Sequence, residues 1–134
     1  MMKSRAKKLL NLLSEIKPGD EIEVDDFTSK EKTLFNKLNK EFFQGKLKGL
    51  NLLTTKDSTV EEFGLFVVDS KTLIVNTKTA SSPTFFKFAL KHEMIHAYVA
   101  TVLKKDDGPH GKLFNKKHKE IFGRTFTWAE LKSS

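Results

Sequence analysis

Residues 82–104 form a largely apolar run, with Phe85, Phe86, Phe88, Ala89, Leu90, Ile95, Ala97, Val99, Val102 and Leu103, and His92-Glu93-Met94-Ile95-His96 is set in its middle. A helix that is apolar nearly all round belongs in a domain core. Any fold open to this chain must therefore place two imidazoles and a carboxylate inside it, which costs on the order of several kcal/mol unless something satisfies them. A divalent metal does so. Residues four apart on a helix share a face, so His92 and His96 can turn a ring nitrogen to one ion. Glu93, about 100° around the helix, is badly placed as a third ligand but can reach a water at the ion's open position. This is the pattern of a zinc hydrolase with the Glu as general base. A pair of packed core histidines that match HExxH by accident is the competing reading, and the buried carboxylate between them weighs against it.

A third ligand must come from His110 or His118, since the chain has four histidines. Lys104-Lys105 suits the end of the first helix, and Asp106-Asp107-Gly108-Pro109 is strong turn chemistry. His110 follows that turn directly and opens a second helical pattern over 112–122, with Leu113, Phe114, Lys117 or His118, and Ile121 at helical spacing. The reversal returns His110 to the first helix. His118 lies about 80° around from His110, so the two do not suit one ion together. Its flanks Lys116, Lys117, Lys119 and Glu120 point to a solvated face, and His110 is preferred.

Zn2+ suits three neutral nitrogens with one open position, although other divalent transition ions fit such a site. On this reading the ion polarises a scissile carbonyl and acidifies its water, whose proton Glu93 takes and passes to the leaving amine. For oxyanion stabilisation, Tyr98 lies two residues past a ligand and suits packing better, while Arg124 and His118 have the right chemistry but read as surface residues. Asp107, like Asp106, can orient a ligand imidazole from behind; turn formation explains both equally well.

A second stretch, Leu34-Phe35-Asn36-Lys37-Leu38-Asn39-Lys40-Glu41-Phe42-Phe43-Gln44-Gly45-Lys46-Leu47, accompanies the His-rich one, in which His110-Gly111 is followed by Phe114. Together they resemble the SprT-like (Spartan-type) family of zinc metalloproteases, in which a helix of this pattern precedes the first strand. Phe63-Gly64-Leu65-Phe66 and Leu73-Ile74-Val75-Asn76 lie where that family has sheet strands. The resemblance runs from about residue 30 to 123. It implies His92, His96 and His110 as zinc ligands, Glu93 as catalytic base, and an endopeptidase that cleaves DNA-bound or DNA-crosslinked proteins under stimulation by DNA, single-stranded or structured. Two departures bear on substrate recruitment and DNA recognition. Pro109 directly precedes the ligand, and the chain has no cysteine for the zinc ribbon of some relatives.

Composition agrees without deciding. A net charge of +7 and a pI near 9.5 suit an anionic partner. The acidic block Asp20, Glu21, Glu23, Asp25 and Asp26 leaves the remainder more basic still. Lys37, Lys40, Lys46, Lys48, Lys112 and Lys116 are the candidate DNA contacts, although lysine-rich helix faces are commonly only solvated and one Trp and one Tyr leave no basic-aromatic interleaving. The absence of cysteine excludes a disulfide scaffold and a thiol nucleophile. Leu9, Leu10, Leu12, Leu13 and Ile16, interrupted by Asn11, Ser14 and Glu15, read as an amphipathic helix rather than a signal peptide. With no membrane span either, a cytoplasmic or nucleoid-associated monomer is expected, not a secreted protein.

The expected fold is α+β, a compact zincin-like metalloprotease domain with a small antiparallel or mixed sheet of about three strands packed on helices. Residues 1–29 are read as an accessory helix (4–17) and a short exposed strand (21–24), and residues 30–134 as the SprT-like domain. Within it a helix over 30–44, capped by Thr28 or Ser29 and closed by Gly45, precedes strands near 49–54, 62–68 and 72–76. Turns are expected at Lys56-Asp57-Ser58 and Asp69-Ser70-Lys71, and a short tail holds Trp128. The alternative function is a DNA- or protein-binding module that keeps this fold around a mainly structural zinc.

Overall fold

The computed structural model describes residues 23–56, 63–104 and 110–124. The expectations for the N-terminal helix, for Asp57-Ser58, for Asp106 to Pro109 and for the Trp128 tail lie outside those residues.

Helix α1 (Ser29–Phe43) starts where its cap dictates. Thr28 Oγ1 accepts from the Glu31 backbone N–H at 3.1 Å and Glu31 returns the bond to the Thr28 N–H at 2.9 Å, a reciprocal capping box. At the other end Gln44, not Gly45, is the left-handed cap residue (φ 54°), and Gly45 continues in the same region (φ 70°). The tight exit is held by Asn39. Its amide donates to the Leu47 carbonyl at 2.9 Å and accepts from the Leu47 N–H at 3.1 Å, both within the buried interior. Phe35, Leu38, Phe43 and Leu47 enter the core around this clamp.

The sheet comprises β1 (Val24–Asp26), β2 (Asn51–Thr55), β3 (Gly64–Val67) and β4 (Thr72–Asn76), in the spatial order β1-β2-β4-β3. It is mixed. β1 runs antiparallel to β2, β2 parallel to β4, and β3 antiparallel to β4 through a hairpin in which Lys71 takes φ 52°. Three of the strands are those expected near 49–54, 62–68 and 72–76, and the fourth overlaps the short strand read at 21–24. The alternation around Val24 is set among acids and reads as exposed, yet Val24 is buried opposite Thr55 while Asp25 and Asp26 stay outside. The strand lies ahead of the boundary read after residue 29 and pairs with β2. Central β4 is buried along its length, as its unalternating Leu73-Ile74-Val75 run implies.

Helix α2 (Pro83–Ala97) packs on β3 and β4. Ser82 Oγ accepts from the Phe85 N–H at 3.0 Å and Pro83 occupies the first turn, so the start is fixed by a cap and a residue that needs no donor there. His92 consequently falls mid-helix, over the sheet. At Tyr98 the helix widens into a π-helical segment, Tyr98–Leu103, and stops at Lys104 in the left-handed region (φ 54°). Helix α3 (Lys112–Phe122) follows, closed by Gly123 at φ 80°.

Replacing Asn39 by Ala leaves the buried Leu47 N–H and carbonyl without partners, at about 1–3 kcal/mol each where water cannot reach them. Urea denaturation of Asn39→Ala is expected to show a loss in this range.

Candidate metal centre

His92 and His96 stand one turn apart on α2 with ring centroids 5.0 Å apart. His110, just ahead of α3, brings its ring to 5.3 Å from His92 and 5.0 Å from His96. One ring nitrogen from each lies within 4.8 Å of the others. His92 Nε2 and His110 Nε2 are 3.3 Å apart, a useful number. Two nitrogens each about 2.05 Å from a tetrahedral zinc stand about 3.3 Å apart, whereas a neutral N–H···N bond is shorter when well made. Donor type and spacing thus fit a divalent metal held by His92, His96 and His110. The His110 backbone is tied by its carbonyl to Asn115 Nδ2 at 3.2 Å.

Aromatic rings wall the cluster. Phe114, fully inside, lies 5.1 Å from His92, 4.5 Å from His96 and 4.8 Å from His110 by ring centroids. Phe63 meets His92 edge-on at 5.0 Å. Phe114 was visible in the sequence only as helical spacing and a family residue; its place against all three imidazoles is a tertiary fact. This dry setting disfavours the imidazolium form. Burial, followed by the neighbouring His96, His110 and His118, lowers the pKa of His92 from 6.5 to about 2. Burial and then His110 lower that of His96 to about 3, and burial and then His118 lower that of His110. Neutral imidazole is the form that ligates metal.

Glu93, 3 % exposed, is pressed between α2 and the backbone of β3 at Gly64. Gly64 was read only as part of a strand, although a glycine inside a strand pattern can signal such a close approach.

The remaining candidates divide. Tyr98 packs on Phe43 (5.4 Å) beneath the Lys117 ammonium (4.8 Å), the packing role its position implied. Arg124 is exposed, with its guanidinium 5.9 Å from the Phe122 ring. Asp107 lies outside the described residues. Lys37, Lys40, Lys46, Lys48, Lys112 and Lys116 are all exposed. The solvated face read for His118 is wrong: the residue is 0 % exposed, its Nδ1 bonds the Arg124 carbonyl and its ring lies 4.5 Å from Phe122. Its sequence neighbours are lysines, but its helix neighbour is Phe114, one turn earlier on the buried face.

Such a site on such a fold defines a domain equipped to hold a metal ion between two helices and a small sheet. The model of the SprT-like family matches residues 31–131, well over half of the chain, and the chain belongs to that family, a metallopeptidase-type domain. Comparison with curated proteins and with solved structures finds no match. Among the described residues no helix is long and apolar enough to cross a membrane.

Two outcomes follow from this geometry. Metal analysis of His110→Ala is expected to show loss of bound divalent metal, and of His118→Ala retained metal with lowered stability; full metal content in the former refutes the grouping. Metal-free protein should also weaken in acid. Because the folded pKa values of His92 and His96 lie below the unfolded 6.5, the unfolded chain binds more protons between them. This contribution is complete above pH 6.5 and is lost as pH falls towards about 3 and about 2, with a slope of up to about 1.4 kcal/mol per pH unit for each ring. Denaturation of His96→Asn across pH 4–7 should be flatter than that of the native chain by roughly one such slope.

Proposed function

We propose that this SprT-like domain is a zinc-dependent endopeptidase that cleaves proteins bound or crosslinked to DNA. The observation that carries the reading is the grouping of His92, His96 and His110 with the buried carboxylate of Glu93 next to a ligand on the same helix. Three neutral nitrogens suit zinc and leave a position for water, where a closed structural site would take a fourth protein ligand. When bound, the ion supplies Lewis acidity and an acidified water.

The chain's own residues supply the rest. The rings of Phe114 and Phe63 exclude solvent and keep the imidazoles neutral. Glu93 accepts the water's proton on its carboxylate as the scissile carbonyl is attacked and delivers it to the departing amine nitrogen, so the carboxylate is regenerated with each turnover. A purely structural zinc needs no such base, which favours the enzyme over a binding module. The DNA half of the proposal is supported by the family, by the net charge of +7, and by exposed lysines on α1, on its exit and on α3.

Cleavage of DNA-bound basic proteins by the native chain and by Glu93→Gln, with and without single-stranded DNA, tests it. Removal of the base is expected to lower the rate roughly 10²–10⁴-fold with zinc content unchanged, and DNA is expected to raise the native rate. Equal cleavage by the two proteins, or none by either with zinc present, overturns the reading.

A further inference from the structure

Gly64 differs from the other glycines of known surroundings. Gly45, Gly49 and Gly123 have positive φ (70°, 70° and 80°) and open space where a side chain would go. Their glycine requirement is conformational. Gly64 has no positive φ and no space. A Cβ built on it would lie 2.6 Å from the Ile74 carbonyl oxygen, 3.0 Å from Glu93 Cγ and 3.3 Å from Glu93 Oε2, all inside the roughly 3.5–4.0 Å of ordinary carbon contact. Its ladder partner is Val75, so the missing side chain would point, like Val75, to the sheet face on which α2 packs.

We propose that Gly64 is a positioning residue for Glu93: the bare backbone of β3 is the wall that sets where the carboxylate stands beside the three histidines. The proposal rests on the reading of Glu93 as the base. Glu93 is 3 % exposed and is carried by a helix fixed at its cap and by packing, so its side chain has only its torsions with which to yield. Ile74 belongs to the central strand and is held by β2 on one side and β3 on the other. A methyl at residue 64 therefore displaces the carboxylate, the strand, or both. Displacement of the carboxylate moves the proton acceptor. The ligands lie on α2 and ahead of α3 and stay in place.

Two measurements separate positioning from mere packing. The first is a stability cycle on metal-free protein with Gly64→Ala, Glu93→Ala and the double variant. Glu93→Ala removes Cγ and Oε2, two of the three nearest atoms, and keeps the Ile74 oxygen. The shift in urea midpoint caused by Gly64→Ala is expected to be smaller in that background than in the native one. A Gly64→Ala protein that folds only when Glu93 is absent supports the proposal equally, whereas equal losses in both backgrounds, or unfolding in both, overturn it.

The second measurement is kinetic, with Val67→Ala, which loosens the same strand away from Glu93, as the baseline. Gly64→Ala is expected to retain zinc and to lose roughly tenfold to a hundredfold in kcat with little change in KM, a split that Val67→Ala does not show. A native kcat in Gly64→Ala overturns the proposal. Failure of the endopeptidase reading shows differently, as equal cleavage by native and Glu93→Gln proteins, and the metal-free cycle reports on the contact in either case.

Discussion

Three imidazoles held neutral inside an aromatic box are the constraint about which the other parts of this domain are arranged. With His92 buried and His96 and His110 half-buried, the imidazolium form is disfavoured, and α2 lies against the sheet, α3 returns to it, and Phe114 fills the space among the rings. The same burial that would penalise the cluster as a structural element prepares it as a donor set, because the work of removing protons and water has been done by folding. Metal affinity and fold stability are thereby linked.

The supports sit at element ends, where geometry can be fixed locally. Ser82 and Pro83 determine where α2 begins and so which residues are mid-helix. Past the second histidine the helix loosens into a π-turn, in which Thr101 Oγ1 bonds the Ala97 carbonyl at 2.7 Å, and stops at a left-handed Lys104. π-turns concentrate near functional sites, and here one follows directly on the two-histidine turn of α2. Asn39 fastens the exit of α1 to Leu47, which gives a physical reason for an Asn in the leucine-phenylalanine pattern of that helix.

Legibility varied with the range of the interaction. Caps, helix spans and the His92–His96 pair depend on neighbours a few residues away, so a cap at Thr28 or Ser29 and the i, i+4 histidines were legible in the sequence. The burial of Val24 and that of His118 were misread for one reason. Both lie among charged sequence neighbours, and exposure was inferred from those neighbours rather than from the residue one turn or one strand away. Val24 answers to Thr55 across the ladder, and His118 to Phe114 and Phe122.

By itself the sequence determined that this chain must bury a two-histidine helix, and it pointed to His110 rather than His118 as the third member of the group, since these follow from helical periodicity and turn chemistry. Only the tertiary structure decided that Phe114 packs against all three rings, that β2 and β4 pair in parallel, and that a strand glycine leaves room for the Glu93 carboxylate. Those are contacts between segments far apart in the chain, set by how the layers fill space, and local spacing carries no record of them.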